Sequence, residues 1–89
     1  MKNYIIHKIF STRDVDGYWY IQHTDVIAVY SNLDDAKAKV VKSLEKTREM
    51  MGGIITTLWT AEDEKICYAE KLESNGDRYQ LNIVQMEVK

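Results

Sequence analysis

The sequence predicts an α+β domain in which an antiparallel sheet of four to six strands carries one helix on one face. Three observations lead to this prediction. Runs of β-forming residues lie on both sides of residues 32–51. Residues 32–51 themselves have apolar side chains at helical spacing. The pair Asn75-Gly76 stands between two further β-type runs, which is typical of a tight hairpin.

The chain has 89 residues, with 12 basic and 14 acidic side chains and a formal net charge of −2. This length corresponds to one α+β domain, residues 1–89, with a core of modest size. The single Cys cannot form a disulfide within the chain. No apolar run is long enough to span a membrane, and the N-terminus lacks the apolar segment of a signal peptide. We therefore expect a cytoplasmic protein that does not bind membranes.

Three β-forming runs precede the predicted helix, at residues 4–10, 18–22 and 26–30. The segment His23-Thr24-Asp25 interrupts the apolar pattern, and it either bends one long strand or separates two. Asp14-Val15-Asp16-Gly17 is interpreted as a turn. It lacks the third ligand before the glycine and the closing Glu that a calcium loop needs.

The helix is predicted over residues 32–51. Ser31 or Asn32 can cap its N-terminus, and Asp34 and Asp35 place negative charge at the positive end of the helix dipole. Gly52 fits the left-handed position that ends many helices. Apolar or neutral residues recur at spacings of three and four, which predicts one buried face: Leu33, Ala36, Val40, Leu44, Thr47 and Met51.

Three strands are predicted after the helix, at residues 54–60, 65–73 and 78–88, with an acidic loop at 61–64. The Asn75-Gly76 turn places Glu73 opposite Arg78 and, further down the ladder, Ile66 opposite Gln85. One face of this hairpin is then mainly apolar and is expected to meet the core. The other face is more polar and is expected to meet water.

No catalytic or cofactor-binding motif is present in the sequence. The glycine pair Gly52-Gly53 follows the helix instead of opening one, so it does not form a phosphate cradle. His7, His23 and Cys67 are the only soft metal ligands, and their spacing matches no metal motif. The sequence therefore predicts a protein that is not an enzyme and that has no cofactor and no metal site.

The aromatic residues give the best indication of function. One helix can cover one sheet face, so at least one ring of a consecutive aromatic triplet is expected on the uncovered face. Exposed Trp and Tyr are enriched at binding hot spots, although these rings can equally pack along a sheet edge or under the N-terminal loop. The predicted partner-binding site consists of the aromatic residues and an acidic rim: Tyr18, Trp19, Tyr20, Trp59, Glu62, Asp63 and Glu64.

These residues favour a protein partner. A homodimer that pairs exposed strands or buries the uncovered sheet face is compatible with the same site. Aromatic residues on a sheet can also stack nucleic-acid bases, which leaves a homodimeric nucleic-acid-binding or regulatory protein as the alternative. Nucleic acid ranks below protein because residues 18–30 contain no Lys or Arg, and only Lys8 and Arg13 lie near.

The passage from the strand into the helix, Val29-Tyr30-Ser31-Asn32-Leu33-Asp34-Asp35-Ala36, resembles one in small bacteriophage-encoded accessory proteins. In those proteins a hairpin leads through Y-S-x-x-D-x-A into an amphipathic helix. The size, the lone Cys and the β-α-β order are also similar to phage inhibitors of host defence such as anti-CRISPR proteins. The resemblance covers about residues 4–44 and carries over no functional residue. It implies a non-enzymatic protein in the host cytoplasm that binds and blocks a host macromolecule such as a CRISPR effector.

Overall fold

A computed structural model describes residues 2–58 and 65–87. The strands form one antiparallel sheet in the order β2-β1-β5-β4-β3, and α1 connects the two edge strands. The predicted α+β fold, a sheet with one helix packed against it, is confirmed. The elements follow one another as β1 (Lys2–Arg13), β2 (Trp19–Tyr30), α1 (Leu33–Met51), β3 (Ile54–Leu58), β4 (Ile66–Ser74) and β5 (Asp77–Glu87).

The core lies between α1 and one face of the sheet, which we call the helix face. The helix contributes Ala36, Val40 and Leu44, which are the central residues of its predicted apolar stripe. The sheet contributes four buried side chains from its three central strands: Ile6, Leu72, Leu81 and Ile83. The apolar face predicted for the β4–β5 hairpin is therefore the face that meets the core.

The helix begins and ends where the sequence predicts. Asn32 is the cap, because its Oδ1 accepts hydrogen bonds from the backbone N–H groups of Asp34 (2.7 Å) and Asp35 (3.2 Å). Of the two capping residues that the sequence left open, the structure thus selects Asn32 over Ser31. At the other end Gly52 has a φ of 74°, and its N–H donates to the carbonyl of Arg48 at 2.7 Å.

Strand β2 is continuous from Trp19 to Tyr30, so residues 23–25 do not separate two strands. The irregularities lie on either side of this segment. Ile6 and His7 pair with Ala28 and Val26, which leaves Ile27 without a partner on β1. A second register shift leaves Gln22 unpaired in the same way. Two β-bulges therefore interrupt the strand, and each one shifts the alternation of side chains by one residue.

The β4–β5 hairpin has the predicted register from Ser74–Asp77 to Tyr68–Ile83. Asn75 and Gly76 both have positive φ, at 49° and 87°, as the predicted turn type requires. The prediction is wrong at the far end, where Ile66 lies opposite Val84 and not opposite Gln85. A register shift beside Cys67 causes this difference, and no local residue type announces it in the sequence.

The predicted strand limits differ from the observed ones by a few residues. Strand β1 extends beyond the predicted 4–10 at both ends because β5 pairs with residues 2–12 and β2 pairs with residues 4–13. Strand β3 is described as far as Leu58, and residues 59 and 60 of the predicted strand lie outside the described residues. The predicted acidic loop at 61–64 and the end of the last strand at Val88 also lie outside them.

The second face of the sheet, on which no described helix packs, is called the helix-free face. The expectation that it simply meets water is wrong on its three central strands, because Ser11, Ala69 and Asn82 are buried there. These are short side chains on central strands, flanked by longer neighbours. The Gln80 side chain, for example, lies along β5 and donates from Nε2 to Asn82 Oδ1 at 2.9 Å.

Candidate functional site

The aromatic triplet is distributed around the end of the β1–β2 hairpin. Tyr18 closes the turn, where its N–H donates to Asp14 Oδ1 at 3.0 Å, and its side chain is 68% exposed. Tyr20 is also exposed and lies on the helix side of the edge strand, opposite Thr12. Trp19 points to the helix-free face and is half-buried. The structure therefore places the two tyrosines, but not the tryptophan, as freely exposed rings.

Trp19 is half-buried because two arginine side chains lie against it. The guanidinium carbon of Arg13, its cross-strand partner, is 5.6 Å from the indole centroid. The guanidinium carbon of Arg78 is 4.6 Å from the same centroid. Arg78 reaches Trp19 because β5 pairs with β1, which places Arg78 opposite Ser11 on the same face. Cation–π contacts of this kind favour an ordered indole.

The remaining predicted site residues lie outside the described part of the chain. Trp59 and the acidic residues Glu62, Asp63 and Glu64 belong to the range 59–64. Their role in partner binding stays a prediction. The described part of the site is consequently the β1–β2 hairpin and the residues that the sheet brings next to it.

An apolar surface that the sequence prediction missed lies on β2. Ile21, Val26 and Val29 all point to the helix-free face and are 66%, 55% and 56% exposed. We call these three residues the β2 patch. They share one face because the two bulges shift the alternation, so a simple period of two does not reveal them. Behind them Ile5 and Ile9 of β1 are half-buried, so the patch continues into the sheet.

The β2 patch lies on an edge strand of the sheet. β2 is the first strand of the sheet, with β1 on one side and no described strand on the other. Natural edge strands are commonly guarded by Lys, by Pro or by bulges. β2 contains neither Lys nor Pro, and it is guarded by its two bulges and by one charged residue, Asp25. An exposed apolar row at such an edge is typical of an interaction surface.

A second group of residues, this time charged, gathers at the turn end of the helix-free face. Lys71 Nζ lies 2.7 Å from Glu73 Oε1. The hydrogen bond from Lys71 and the charges of Lys71, Arg78 and Arg13 hold the pKa of the Glu73 carboxyl below its ordinary value. The sequence predicted that Glu73 faces Arg78, and this register is confirmed. The close ion pair is nevertheless made with Lys71 on the same strand.

The residues that the sequence considered for metal binding or nucleophilic catalysis do not form one site in the structure. His7 lies opposite Val26 on the helix-free face, whereas His23 lies opposite Phe10 on the helix face. The Cys67 thiol donates to Gln85 Oε1 at 3.4 Å. Within residues 2–58 and 65–87, no group of three or more His, Cys, Asp or Glu side chains is placed to hold a metal ion.

Comparison with protein-family models, with curated proteins and with solved structures gave no match. In the described ranges no helix has the length and apolar character needed to cross a membrane. The function must therefore be argued from the surfaces themselves. The two surfaces that the sequence prediction missed are the β2 patch and the charged group around Trp19. Only Arg13 of the latter was near enough in sequence to be expected.

Proposed function

We propose that this protein is a non-enzymatic protein-binding module that occludes or regulates a partner protein through β2. The β2 patch is the observation that carries the proposal: three β-branched apolar side chains are more than half exposed in one row on an edge strand. Tyr18 adds an exposed ring at the hairpin end, and Tyr20 exposes a second ring on the opposite, helix-side face of the same strand. The buried core of a protein interface is enriched in apolar and aromatic side chains.

The side chains of β2, and not its backbone edge, are the proposed contact. The bulges at Gln22 and Ile27 break the outer edge into short stretches, which disfavours a long added strand. The side chains of the patch are unaffected by this interruption and lie in one row, in which Thr24 separates Ile21 from Val26. A partner with a shallow apolar surface can therefore bury the row without extending the sheet.

The energetic contribution of the patch follows from its exposure. Complete burial of an Ile or Val side chain contributes about 1.5–3 kcal/mol, so a side chain that is already nearly half-buried gains about 1 kcal/mol more. The three side chains together then contribute about 3 kcal/mol, which corresponds to roughly a hundredfold in the dissociation constant.

The resemblance of residues 4–44 to small phage inhibitors supplies a specific form of the proposal. In that form the partner is a host defence protein, such as a CRISPR effector, and binding blocks its action. The absence of positive charge along β2 agrees with a protein surface as the target, since a nucleic-acid surface would require Lys or Arg there.

The test replaces the patch by residues of similar shape and β propensity. A tagged triple variant, Ile21→Thr, Val26→Thr and Val29→Thr, and the unaltered protein are used to capture partners from nuclease-treated bacterial lysate. A photo-crosslinking amino acid at position 26 identifies what touches the patch. We expect one stoichiometric partner, crosslinked at position 26, whose affinity for the triple variant is about a hundredfold lower.

The matched control is Val41→Thr, which changes a partly exposed valine on the helix and leaves the sheet unaltered. This variant should bind as the unaltered protein does. Equal binding by the triple variant and the control would refute the role of the patch. Sedimentation of both proteins identifies the case in which the partner is a second copy, because the mass then doubles and the triple variant returns to a monomer.

A further inference from the structure

A cleft of about 670 Å³ lies on the helix-free face at the end where the turns meet. Its walls come from three parts of the chain that are distant in sequence. The β1–β2 hairpin contributes Arg13, Val15 and Trp19, β3 contributes Ile54, and the end of β4 contributes Lys71 and Glu73. A backbone hydrogen bond links the β1–β2 hairpin to the turn after β4, because the N–H of Arg13 donates to the carbonyl of Gly76 at 2.8 Å.

Positive side chains gather in and beside the cleft, in a chain whose formal net charge is −2. Arg13, Arg78 and Lys71 all act on the Glu73 carboxylate, which has the ion pair with Lys71 and the lowered pKa described above. Asp14 also lines the cleft, but its Oδ1 accepts the N–H groups of Asp16 and Tyr18. Among the residues that line the cleft, Arg13 and Lys71 balance Asp14 and Glu73. Arg78 lies beside the cleft, over the ring of Trp19, and adds one further positive charge.

The guanidinium groups of both arginines lie over the indole of Trp19. A guanidinium that stacks on an aromatic ring keeps its N–H groups available for hydrogen bonds in its own plane. Among the described residues Arg78 Nε is buried and has no acceptor. Its cross-strand neighbour Ser11 is completely buried, and its Oγ also has no hydrogen-bond partner there. Buried polar groups are normally paired, so this part of the sheet retains unused hydrogen-bonding capacity.

We propose that this cleft binds a carboxylate that carries an apolar group. Glu73 shows that a carboxylate fits among these cations, and the further positive charge of Arg78 matches one further carboxylate. The apolar group of the ligand would contact Trp19, Ile54 and Val15, of which Ile54 is 73% exposed and Val15 is fully exposed. A carboxylate of this description is supplied either by a small organic acid or by an acidic side chain next to an apolar residue in a peptide.

Two features make a phosphate or a nucleic acid a poorer fit. A dianionic phosphate needs more compensating charge than the one further positive charge beside the cleft, and Glu73 repels it. Arg78 lies against the indole at 4.6 Å, so that side of the ring is not available for stacking a base. The proposed site shares no residue with the β2 patch, and the two proposals can therefore fail separately.

The test is a titration of the ¹⁵N-labelled protein, followed by nuclear magnetic resonance. The probes are N-acetyl-isoleucine, its neutral amide, inorganic phosphate and a blocked peptide that contains Glu between two Ile residues. The reporters are the backbone amides of Lys71 and Gly76 and the indole N–H of Trp19. The variant Trp59→Phe lacks the other indole and so assigns the Trp19 signal. We expect saturable shifts with a dissociation constant of about 1 mM that weaken as salt is added.

The variants Arg13→Gln and Lys71→Gln should each weaken binding by about two- to fivefold, as expected for a partly exposed ion pair. The control is Lys46→Gln, which removes the same charge from an exposed position on α1 and should change nothing. Arg78→Gln removes the further positive charge beside the cleft and should also weaken binding, and the spread of its amide signals reports whether the variant remains folded.

Each outcome decides the proposal. Binding of N-acetyl-isoleucine without binding of its amide supports a site for a small carboxylate. Binding of the peptide alone supports the same site with the carboxylate supplied by a partner chain. Equal responses to the amide or to phosphate, no saturable shift, or unchanged affinity in both Arg13→Gln and Lys71→Gln would overturn the proposal.

Discussion

The junction between α1 and β3 offers a sharp test of the structure that supports the cleft. Gly53 has a φ of 107°, and a Cβ built on it would lie 2.4 Å from the carbonyl oxygen of Glu73. It would also lie 2.9 Å from Ser74 Cβ. The neighbouring Gly52 has a φ of 74°, but a Cβ there would meet nothing within 4 Å. The two glycines thus share the backbone constraint and differ in the close contact.

The expected magnitudes follow from this difference. An Ala at Gly52, where ψ is −166°, occupies a region open almost only to glycine and costs about 1–3 kcal/mol. An Ala at Gly53 has a comparable backbone cost and must also push the Glu73 carbonyl oxygen away by about 1 Å, since ordinary van der Waals contact begins at 3.4 Å. Overpacking of this kind adds about 1–3 kcal/mol. The benefit of Ala in the unfolded chain is the same for both and cancels in the comparison.

The assay is urea unfolding of the two variants and the unaltered protein, followed by circular dichroism. We expect Gly53→Ala to be less stable than Gly52→Ala by about 1–3 kcal/mol, with unchanged dependence on urea concentration. Equal losses, within about 0.5 kcal/mol, would show that the close approach of Gly53 to β4 does not constrain the fold. The reasoning about this junction would then be wrong.

Three further predictions concern the helix, the core and the charged group. Asn32→Ala should lower the free energy of unfolding by about 1 kcal/mol because it removes the cap, whereas Ser31→Ala should leave it unchanged, as thermal unfolding can show. Leu44→Ala should cost about 2–5 kcal/mol in urea unfolding because the side chain is 1% exposed in the core. The lowered pKa of Glu73 means that its contribution to stability is present above the ordinary value of 4.5 and is lost as the pH falls below it. Glu73→Gln should therefore be less stable than the unaltered protein at neutral pH, and the difference should shrink in urea unfolding at about pH 3. A difference that stays constant with pH would contradict this assignment.

The parts of the fold that the sequence predicted are those specified by neighbouring residues. The Asn75-Gly76 turn sets the register of β4 and β5 because a two-residue loop leaves one pairing possible. The helix bounds follow from Asn32 and Gly52, which act on the backbone within one turn. No turn or neighbouring residue in the sequence specifies that β1 pairs with β5, so this part of the strand order could not be predicted.

The candidate site was predicted in part for the same reason. Trp19 and Arg13 belong to one hairpin, so their proximity follows from the turn between them. Arg78 follows Arg13 by 65 residues in the sequence. Its place beside Trp19 depends on the strand order, which sets β5 next to β1. The β2 patch was missed because bulges in β2, which no residue type announces, bring Ile21 and Val26 to the same face.

The same bulges have a consequence for the behaviour of the protein at high concentration. Amyloid-like stacking needs about six or seven consecutive residues in regular extended register. In β2 the unpaired Gln22 and Ile27 leave a longest regular stretch of residues 23–26, which is too short to form such a zipper. An edge strand that lacks lysine and proline is thereby kept from templating fibrils by its geometry. The strand can present apolar side chains to a partner while its backbone remains a poor seed for self-assembly.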